Sequence, residues 1–167
     1  MCFWRVKNKG ITVGELAELC DTPEKLSAWL RRNIRYVTDK EKHGVKDHWQ
    51  TAGETLRDRT GDCDDFAILA RAVLRLQGYN AKLLSVTQWV GYRRDLKKSH
   101  MVCAVEIEGV YWHIGNWKME ACGILLSDVA DKVYPDAKIW MEYESDKTIS
   151  QGWIKVSDSW RCTKPKD

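Results

Sequence analysis

The spacing of apolar residues changes near residue 80, and this change limits the possible folds more than any other feature. Before it, apolar residues recur every three or four positions, as in the stretch from Leu26 to Val37. After it come short runs typical of strands, at 81–90, 101–107 and 110–116, with weaker candidates at 138–143 and 153–156. Helices followed by strands predict an α+β fold, which we expect to fill residues 1–167 as a single domain.

Composition excludes several other classes of protein. The chain has 167 residues, a net charge of +3 and 44% hydrophobic residues, which is typical of an ordinary globular protein rather than a disordered one. Its apolar stretches are too short for a membrane span. The segment Met1–Lys7 lacks the apolar centre of a secretory leader, so we expect a cytoplasmic protein that does not enter a membrane.

Capping residues and glycines give the expected element boundaries. Thr12 starts a helix that runs to about Cys20, and Pro23 opens a second one. Residues 38–60 are polar and irregular, which predicts a long functional loop. The clearest helix spans about 62–77 and is ended by Gly78.

The second half of the chain contains a hairpin and one more helix. Glu108 and Gly109 predict the tight turn between strands 101–107 and 110–116. The segment from Leu125 to Val133 predicts a short amphipathic helix.

One of the six cysteines differs from the others. The long, irregular gaps between them do not favour a zinc site or, in a reducing compartment, disulfides. Cys63, however, follows Asp62 at the start of the clearest helix, with Asp65 completing an acidic capping box. Free backbone N–H groups there favour a thiolate, whereas the flanking carboxylates raise the thiol pKa. Cys63 is therefore either a nucleophile or a buried helix cysteine.

Two further residues suit a cysteine nucleophile. His100 follows the polar segment 91–99 at the start of a strand, where its imidazole can face a helix N-terminus; otherwise it is a solvated histidine. With the hairpin turn at 108–109, residue 100 faces residue 116 or 117. Asn116 is thus a candidate neighbour of His100, unless it only ends the strand.

Four segments between Ile34 and Asn116 resemble the transglutaminase-like (papain-like) superfamily. The segments are Ile34–Asp39, Trp49–Leu56, Gly61–Ala67 and His100–Val102. The Gly61–Ala67 segment is similar to the nucleophile motif of bacterial transglutaminase-like cysteine peptidases, some of them phage-encoded. The resemblance, over residues 33–117, implies a papain-like fold in which N-terminal helices and the nucleophile helix pack on an antiparallel sheet.

The resemblance also implies roles for individual residues. Cys63 would be the nucleophile and His100 the general base and then the acid. The family's third residue is an aspartate, and Gly115 stands at that position here. Either Asn116 replaces the acid or the site is a Cys–His dyad, with Asp128 and Asp131 as outside candidates.

Residues flanking the nucleophile have weaker functional interpretations. Some relatives bind calcium next to the nucleophile, and Asp62 and Asp64 fall on those positions, but calcium needs six or more oxygen ligands. Helix capping or solvated charges also explain both residues, and we otherwise expect no cofactor. Trp49 and Gln50 could reach the oxyanion site or roof the cleft, or simply pack the loop.

The predicted function is a thiol hydrolase that cleaves an amide, most simply a peptide bond in a peptide or protein substrate. Acyl transfer to an amine shares the first half-reaction and remains an alternative. So does a binding or assembly module whose triad has decayed, because of Gly115. Nucleic-acid binding by the basic run 93–98 is not favoured, since the run is short and Asp95 interrupts it. The sequence leaves the oligomeric state, monomer or higher, undetermined.

Overall fold

The computed structural model describes residues 10–90, 93–135, 137–143, 149–156 and 159–163. The segment Met1–Lys7, on which the expectation about a secretory leader depended, lies outside these residues. Across the described ranges, every helix is too short or too polar to cross a membrane.

The described residues form six helices, five of which lie in the N-terminal half of the chain. They are α1 (Val13–Leu19), α2 (Pro23–Asn33), α3 (Asp39–His43), α4 (Ala52–Asp58), α5 (Cys63–Leu76) and α6 (Leu126–Val133). Thr12 caps α1 together with Glu15, and Pro23 occupies the first turn of α2, as the sequence predicted. Gly78 follows α5 with a φ of 85°, a left-handed conformation that glycine adopts without strain.

Residues 38–60 do not form the long irregular loop that we expected. They contain α3 and α4, and each helix begins at a capping box, Thr38 with Glu41 and Thr51 with Glu54. The expectation was wrong because it relied on apolar periodicity, which helices of 5 and 7 residues are too short to display.

The strands form one seven-stranded antiparallel sheet and one small parallel pair. They are β1 (Arg35–Tyr36), β2 (Thr60–Gly61), β3 (Ala81–Val90), β4 (Arg93–Ile107), β5 (Val110–Ile114), β6 (Met119–Gly123), β7 (Ala137–Tyr143), β8 (Ile149–Val156) and β9 (Ser159–Thr163). The large sheet has the order β6-β5-β4-β3-β7-β8-β9, while β1 pairs with β2.

Strand β4 is longer than predicted. It begins at Arg93, so the basic run expected in a loop lies on a strand, and Gly91 and Tyr92 fall outside the described residues. The backbone of this polar stretch pairs with the end of β3, for example Ser99 with Thr87. Backbone pairing therefore extends the strand where the side-chain pattern predicts a loop.

The β4–β5 hairpin has the predicted turn and register. Glu108 and Gly109 have φ values of 52° and 78°, as a two-residue turn of this kind requires. Ile107 pairs with Val110, and the pairing continues to Cys103 and Ile114. The register extrapolated from the turn is thus confirmed up to the end of β5.

Helix α5 lies at the centre of the fold. Its apolar side packs against α1, α2, α4 and the sheet face that carries Met101 and Cys103. On the other sheet face, α6 covers Val86, Val102 and Ala104. The predicted fold class is therefore confirmed: an α+β fold with the nucleophile-bearing helix packed on an antiparallel sheet.

Candidate active site

Cys63 is the first residue of α5, as predicted. Asp62 precedes it at the N-cap, and the carboxylate of Asp65 accepts the backbone N–H of Asp62 at 3.2 Å. The Asp62 side chain makes no cap hydrogen bond. Of the two hydrogen bonds of the expected capping box, only the one accepted by Asp65 is therefore clear. The half-buried thiol lies in the first helical turn, beside N–H groups that have no partner within the helix.

Gln50 fixes the start of α5 to the segment before α4. Its backbone N–H donates to Asp65 Oδ1 at 2.7 Å, and its side-chain amide donates to Asp65 Oδ2 and to the Thr60 carbonyl. Its amide oxygen accepts from Lys42. Because both side-chain N–H groups are engaged, the observed geometry gives Gln50 a structural role rather than that of an oxyanion donor.

Trp49 also packs against its neighbours. Its indole N–H donates to Asp47 at 3.2 Å, and its ring meets Tyr143 edge-on with 5.4 Å between the ring centroids. The side chain contributes to the main core cluster. Loop packing, one of the three interpretations of this residue, therefore describes its contacts.

Burial raises the pKa of the Cys63 thiol to about 12. The carboxylates of Asp62 and Asp64 act in the same direction, and the backbone N–H groups of Met101 and Asp64 act against it. Burial and negative charge thus outweigh the helix N-terminus, and the resting thiol is protonated at neutral pH.

His100 lies on β4, paired with Val86 of β3, and is half-buried. Burial lowers the pKa of this imidazole, His113 lowers it further, and Asp62 acts in the opposite direction. The residue after His100 is Met101, whose backbone N–H reaches the Cys63 thiol. A neutral imidazole and a protonated thiol are therefore carried by adjoining parts of α5 and β4.

The third position of the predicted triad is open. A Cβ atom built on Gly115 would lie 3.6 Å from His100 Nε2, so residue 115 faces this ring nitrogen. Asn116 is buried, with 6% of its surface exposed. Its amide oxygen has no hydrogen-bond partner in the part of the chain that the structure describes. The predicted contact between Asn116 and His100 through this oxygen is thus not formed in the observed geometry.

The two outside acidic candidates lie on α6. Asp128 accepts the backbone N–H of Leu125 at 2.9 Å, and this hydrogen bond holds the first turn of the helix. Asp131 lies one turn further along α6.

Five carboxylates cluster around the start of α5. Three groups of side chains each bring their ligand atoms within 4.8 Å of one another. The groups are Asp62 with Cys63 and Asp64, Asp39 with Asp62 and Asp65, and Asp39 with Asp47 and Asp64. Oxygens of Asp62 and Asp64 are buried without a hydrogen-bond partner among the described residues. Burial raises the pKa of Asp64, and its neighbour Asp62 raises it further. Such unpaired, convergent oxygens suit a hard cation such as calcium.

Aromatic side chains lie near the start of α5. Burial raises the pKa of Tyr36 to about 12, and the charge of Cys63 is the next cause, so the phenol lies within electrostatic range of the thiol. The Tyr36 ring lies 6.0 Å from that of exposed Trp117. Tyr134, after α6, also has its pKa raised by burial and then by Cys63. Sequence reasoning did not assign these residues to the site, because they come from three segments that are distant along the chain.

A family model described as a transglutaminase-like domain matches residues 13–123, which include Cys63, His100 and Asn116. The chain belongs to the transglutaminase-like family. The match begins earlier than the resemblance in the sequence, which started at residue 33, and it includes α1 and α2.

Solved structures show the same transglutaminase-like fold. LapG of Legionella pneumophila in its EGTA-treated form has a TM-score of 0.53 and 17% identity, covering 89% of this chain and 72% of LapG. The calcium-bound form has a TM-score of 0.51, also with 17% identity, and the match covers 87% of this chain and 69% of that protein. At this level of identity the similarity concerns the fold.

A curated protein shares part of the transglutaminase-like sequence. UPF0252 protein MJ1282 of Methanocaldococcus jannaschii is 29% identical over 98 residues, or 56% of this chain. The matched segment spans 28% of the archaeal protein's length.

Sequence reasoning found part of the acidic cluster and missed the rest. Asp62 and Asp64 adjoin the nucleophile position, whereas Asp39 and Asp47 are brought to it from α3 and the segment after it. The capping box at Thr38 could have indicated α3, since it marks a helix that presents Asp39 in its first turn.

Proposed function

We propose that the protein is a cysteine-dependent hydrolase that cleaves an amide bond, most simply a peptide bond. The observation that carries this proposal is the position of Cys63, at the N-terminus of α5 with its thiol against the Met101 backbone, next to His100. A nucleophile needs a base within reach, and we propose that the neutral imidazole of His100, on the adjoining strand, is this base.

The reaction begins with a neutral pair. His100 takes the thiol proton as the Cys63 sulfur attacks the substrate carbonyl, so that the imidazolium forms only as the carbon–sulfur bond forms. The oxyanion is stabilised by the backbone N–H of Cys63 and a donor from residues 48–56. Collapse of this intermediate expels the amine, which receives the proton from His100 and leaves a thioester.

The second half-reaction returns the enzyme to its starting state. His100 removes a proton from water, the hydroxyl oxygen attacks the thioester carbonyl, and the carboxylic acid leaves. The proton returns to the Cys63 sulfur. If an amine replaces water, the same thioester yields acyl transfer, which remains the alternative outcome of the same site.

Asn116 is our candidate for orienting His100 in the reacting state. It is buried next to Gly115, and its amide oxygen has no partner among the described residues. We propose that a rotation of this side chain in the reacting state brings that oxygen to the imidazole. Catalytic hydrogen bonds often form only once substrate is bound.

The substrate that fits this site is an extended segment of a peptide or protein. Tyr36 and Trp117 form an exposed aromatic pair, and Tyr36 lies within electrostatic range of Cys63. Aromatic side chains contribute large contact areas at low entropic cost, and they contact a backbone without requiring one sequence.

Calcium is our candidate for an accompanying ion. The carboxylates of Asp39, Asp62 and Asp64 would hold it. The unpaired buried oxygens of Asp62 and Asp64 support the fit, and so does the calcium-bound form of LapG. When bound, it would supply positive charge beside the nucleophile.

A binding or assembly module is the second candidate function. It is favoured by the glycine at position 115 and by the unpaired oxygen of Asn116, both of which weaken a triad. Labelling with a thiol-directed electrophile separates the two functions. An enzyme reacts fastest at Cys63 and depends on His100, whereas a module shows no preference between Cys63 and the half-buried Cys122.

A further inference from the structure

Two imidazole rings converge on the space beside Gly115. A Cβ atom on this glycine would lie 3.6 Å from His100 Nε2, 3.8 Å from His113 Nδ1 and 3.9 Å from a methyl group of Val102. All three are ordinary van der Waals distances. Because glycine has no side chain, residue 115 does not fill the space between the two ring nitrogens.

The hairpin register produces this convergence. His113 pairs with Ala104 on β4, and alternate residues of a strand share a face, so His100, Val102 and Ala104 point to the same side. Extending the register by one pair beyond Ile114 puts Gly115 opposite Val102. The two histidines therefore lie on either side of the pair formed by Val102 and Gly115.

His113 is held by a charged pair on the neighbouring strand. Its Nε2 lies 3.4 Å from Glu120 Oε2, and Lys118 Nζ lies 2.6 Å from the same oxygen. The residue is only 5% exposed, and its Nδ1 is buried without a hydrogen-bond partner in the described ranges. His113 is therefore fixed at one nitrogen and unpaired at the other, which faces Gly115.

The surroundings of His113 determine the charge of its ring and which ring nitrogen carries the hydrogen. Burial lowers the pKa of this imidazole; Glu120 acts against this effect, and Lys118 and Lys132 act with it. A neutral ring has one N–H, and the carboxylate of Glu120 favours that hydrogen on Nε2. Nδ1 then presents a lone pair toward Gly115, which makes it a hydrogen-bond acceptor.

We propose that His113 is a positioning residue for His100. Its Nδ1 accepts, through one water molecule lodged over Gly115, the Nε2–H of His100. This link fixes the His100 tautomer that leaves Nδ1 free to take the proton of Cys63. A neutral histidine supported by Glu120 thus takes the place of an acidic third residue, and Gly115 provides the room.

This inference rests on the proposed roles of Cys63 and His100, and it concerns the resting enzyme. The link does not need the Asn116 rotation, since it uses atoms that already face the same space. It also gives Glu120 and Lys118 a role, because they determine which nitrogen of His113 carries the hydrogen.

The test measures the alkylation rate of Cys63 by iodoacetamide from neutral to high pH, with mass spectrometry of the Cys63 peptide. The variants are His113→Phe, which keeps a buried ring, and Gly115→Ala, which adds a methyl group to the shared space. We expect each to slow alkylation about tenfold at neutral pH. The loss should fade toward high pH, where the thiol ionises without His100. His43→Phe, at an exposed histidine of α3, is the matched control.

A rescue variant separates positioning from structure. In His113→Phe with Gly115→Asp, a carboxylate enters the space facing His100 Nε2, and we expect it to restore alkylation at neutral pH. A loss in His113→Phe that is equal at every pH, or no loss in either single variant, overturns the positioning role. If His113→Phe does not fold, Gly115→Ala alone decides, because its added methyl makes only ordinary contacts.

The proposed function fails separately. If His100→Ala alkylates at Cys63 as fast as wild type, the Cys63–His100 pair itself is wrong. If His100→Ala is slow while His113→Phe and Gly115→Ala match wild type, only the role of His113 is wrong.

Discussion

The thiol of Cys63 lies against the backbone N–H of Met101, the residue that follows His100 on β4. This contact joins the N-terminus of α5 to the strand that carries the imidazole. Helix α5 is also packed along its length against the core, and this packing limits how far the Cys63 thiol can move. The proposed mechanism uses this arrangement, since it assigns His100, which precedes Met101, as the base for the Cys63 thiol.

The first prediction concerns Cys63 itself. Cys63→Ala should abolish thiol-dependent cleavage of a peptide panel, a loss of about 10³-fold or more, because no other group forms the covalent intermediate. Cys122→Ser is the matched control, since it removes a half-buried thiol on β6. Turnover that survives in Cys63→Ala but not in Cys122→Ser would move the chemistry from α5 to β6 and contradict the proposed nucleophile.

The second prediction ranks the partners of Cys63. Asn116→Ala should lower kcat by about tenfold, less than His100→Ala, because an orienting group contributes less than the group that transfers the proton. Asn116→Asp should be tolerated and should raise kcat, since a carboxylate stabilises the imidazolium that forms. Identical rates for wild type and Asn116→Ala would make Asn116 a bystander and leave the orientation of His100 to His113.

The sequence predicted the parts of this site that depend on local pattern. Asp62, the apolar stripe after it and Gly78 were enough to define α5 and to place Cys63 in its first turn. The two-residue turn at Glu108 and Gly109 was enough to give the register of β4 and β5. Both are short-range features, in which the chain's own capping and turn residues determine the geometry.

The sequence did not predict contacts between distant segments. The link from Gln50 to Asp65 joins residues 15 positions apart, and Tyr36 reaches Trp117 from the opposite half of the chain. His113 was interpreted only as a strand residue. The strand pattern does not show that His113 Nδ1 and His100 Nε2 both face the space beside Gly115. Such relationships arise from packing, which periodicity does not report.

The third prediction tests the packing at the start of α5. A Cβ atom on Gly61 would lie 2.5 Å from the Cβ and from Oδ2 of Asp65, closer than atoms can approach. Gly61→Ala should therefore lower the free energy of unfolding by about 1–3 kcal/mol. It should also weaken the hold of Asp65 on Gln50.

Gly53→Ala is the matched control for that change. Gly53 lies within α4, and a Cβ atom there would have no atom within 4 Å. The substitution should raise the free energy of unfolding by about 0.5–1 kcal/mol, because alanine favours a helix over glycine. Urea denaturation measures both variants. The same sign for both would show that the space at Gly61 does not limit the fold.

The last prediction concerns the dependence of stability on pH near the acidic cluster. Burial raises the pKa of Asp64, Asp65 and Asp39 above the ordinary value of 3.8. Between that value and the raised pKa values, the folded state binds more protons than the unfolded state, so the cluster makes stability fall as pH rises. Without calcium, the melting temperature should drop between about pH 5 and pH 8.

Asp64→Asn should flatten this slope, whereas Asp21→Asn, at an exposed carboxylate, should keep it. Millimolar calcium should raise the wild-type melting temperature most at the upper end of this range, because fewer protons compete with the ion for the carboxylates there. A melting temperature that rises with pH in wild type and Asp64→Asn alike, and that calcium leaves unchanged, would contradict both the charge burden of the cluster and its role in binding a cation.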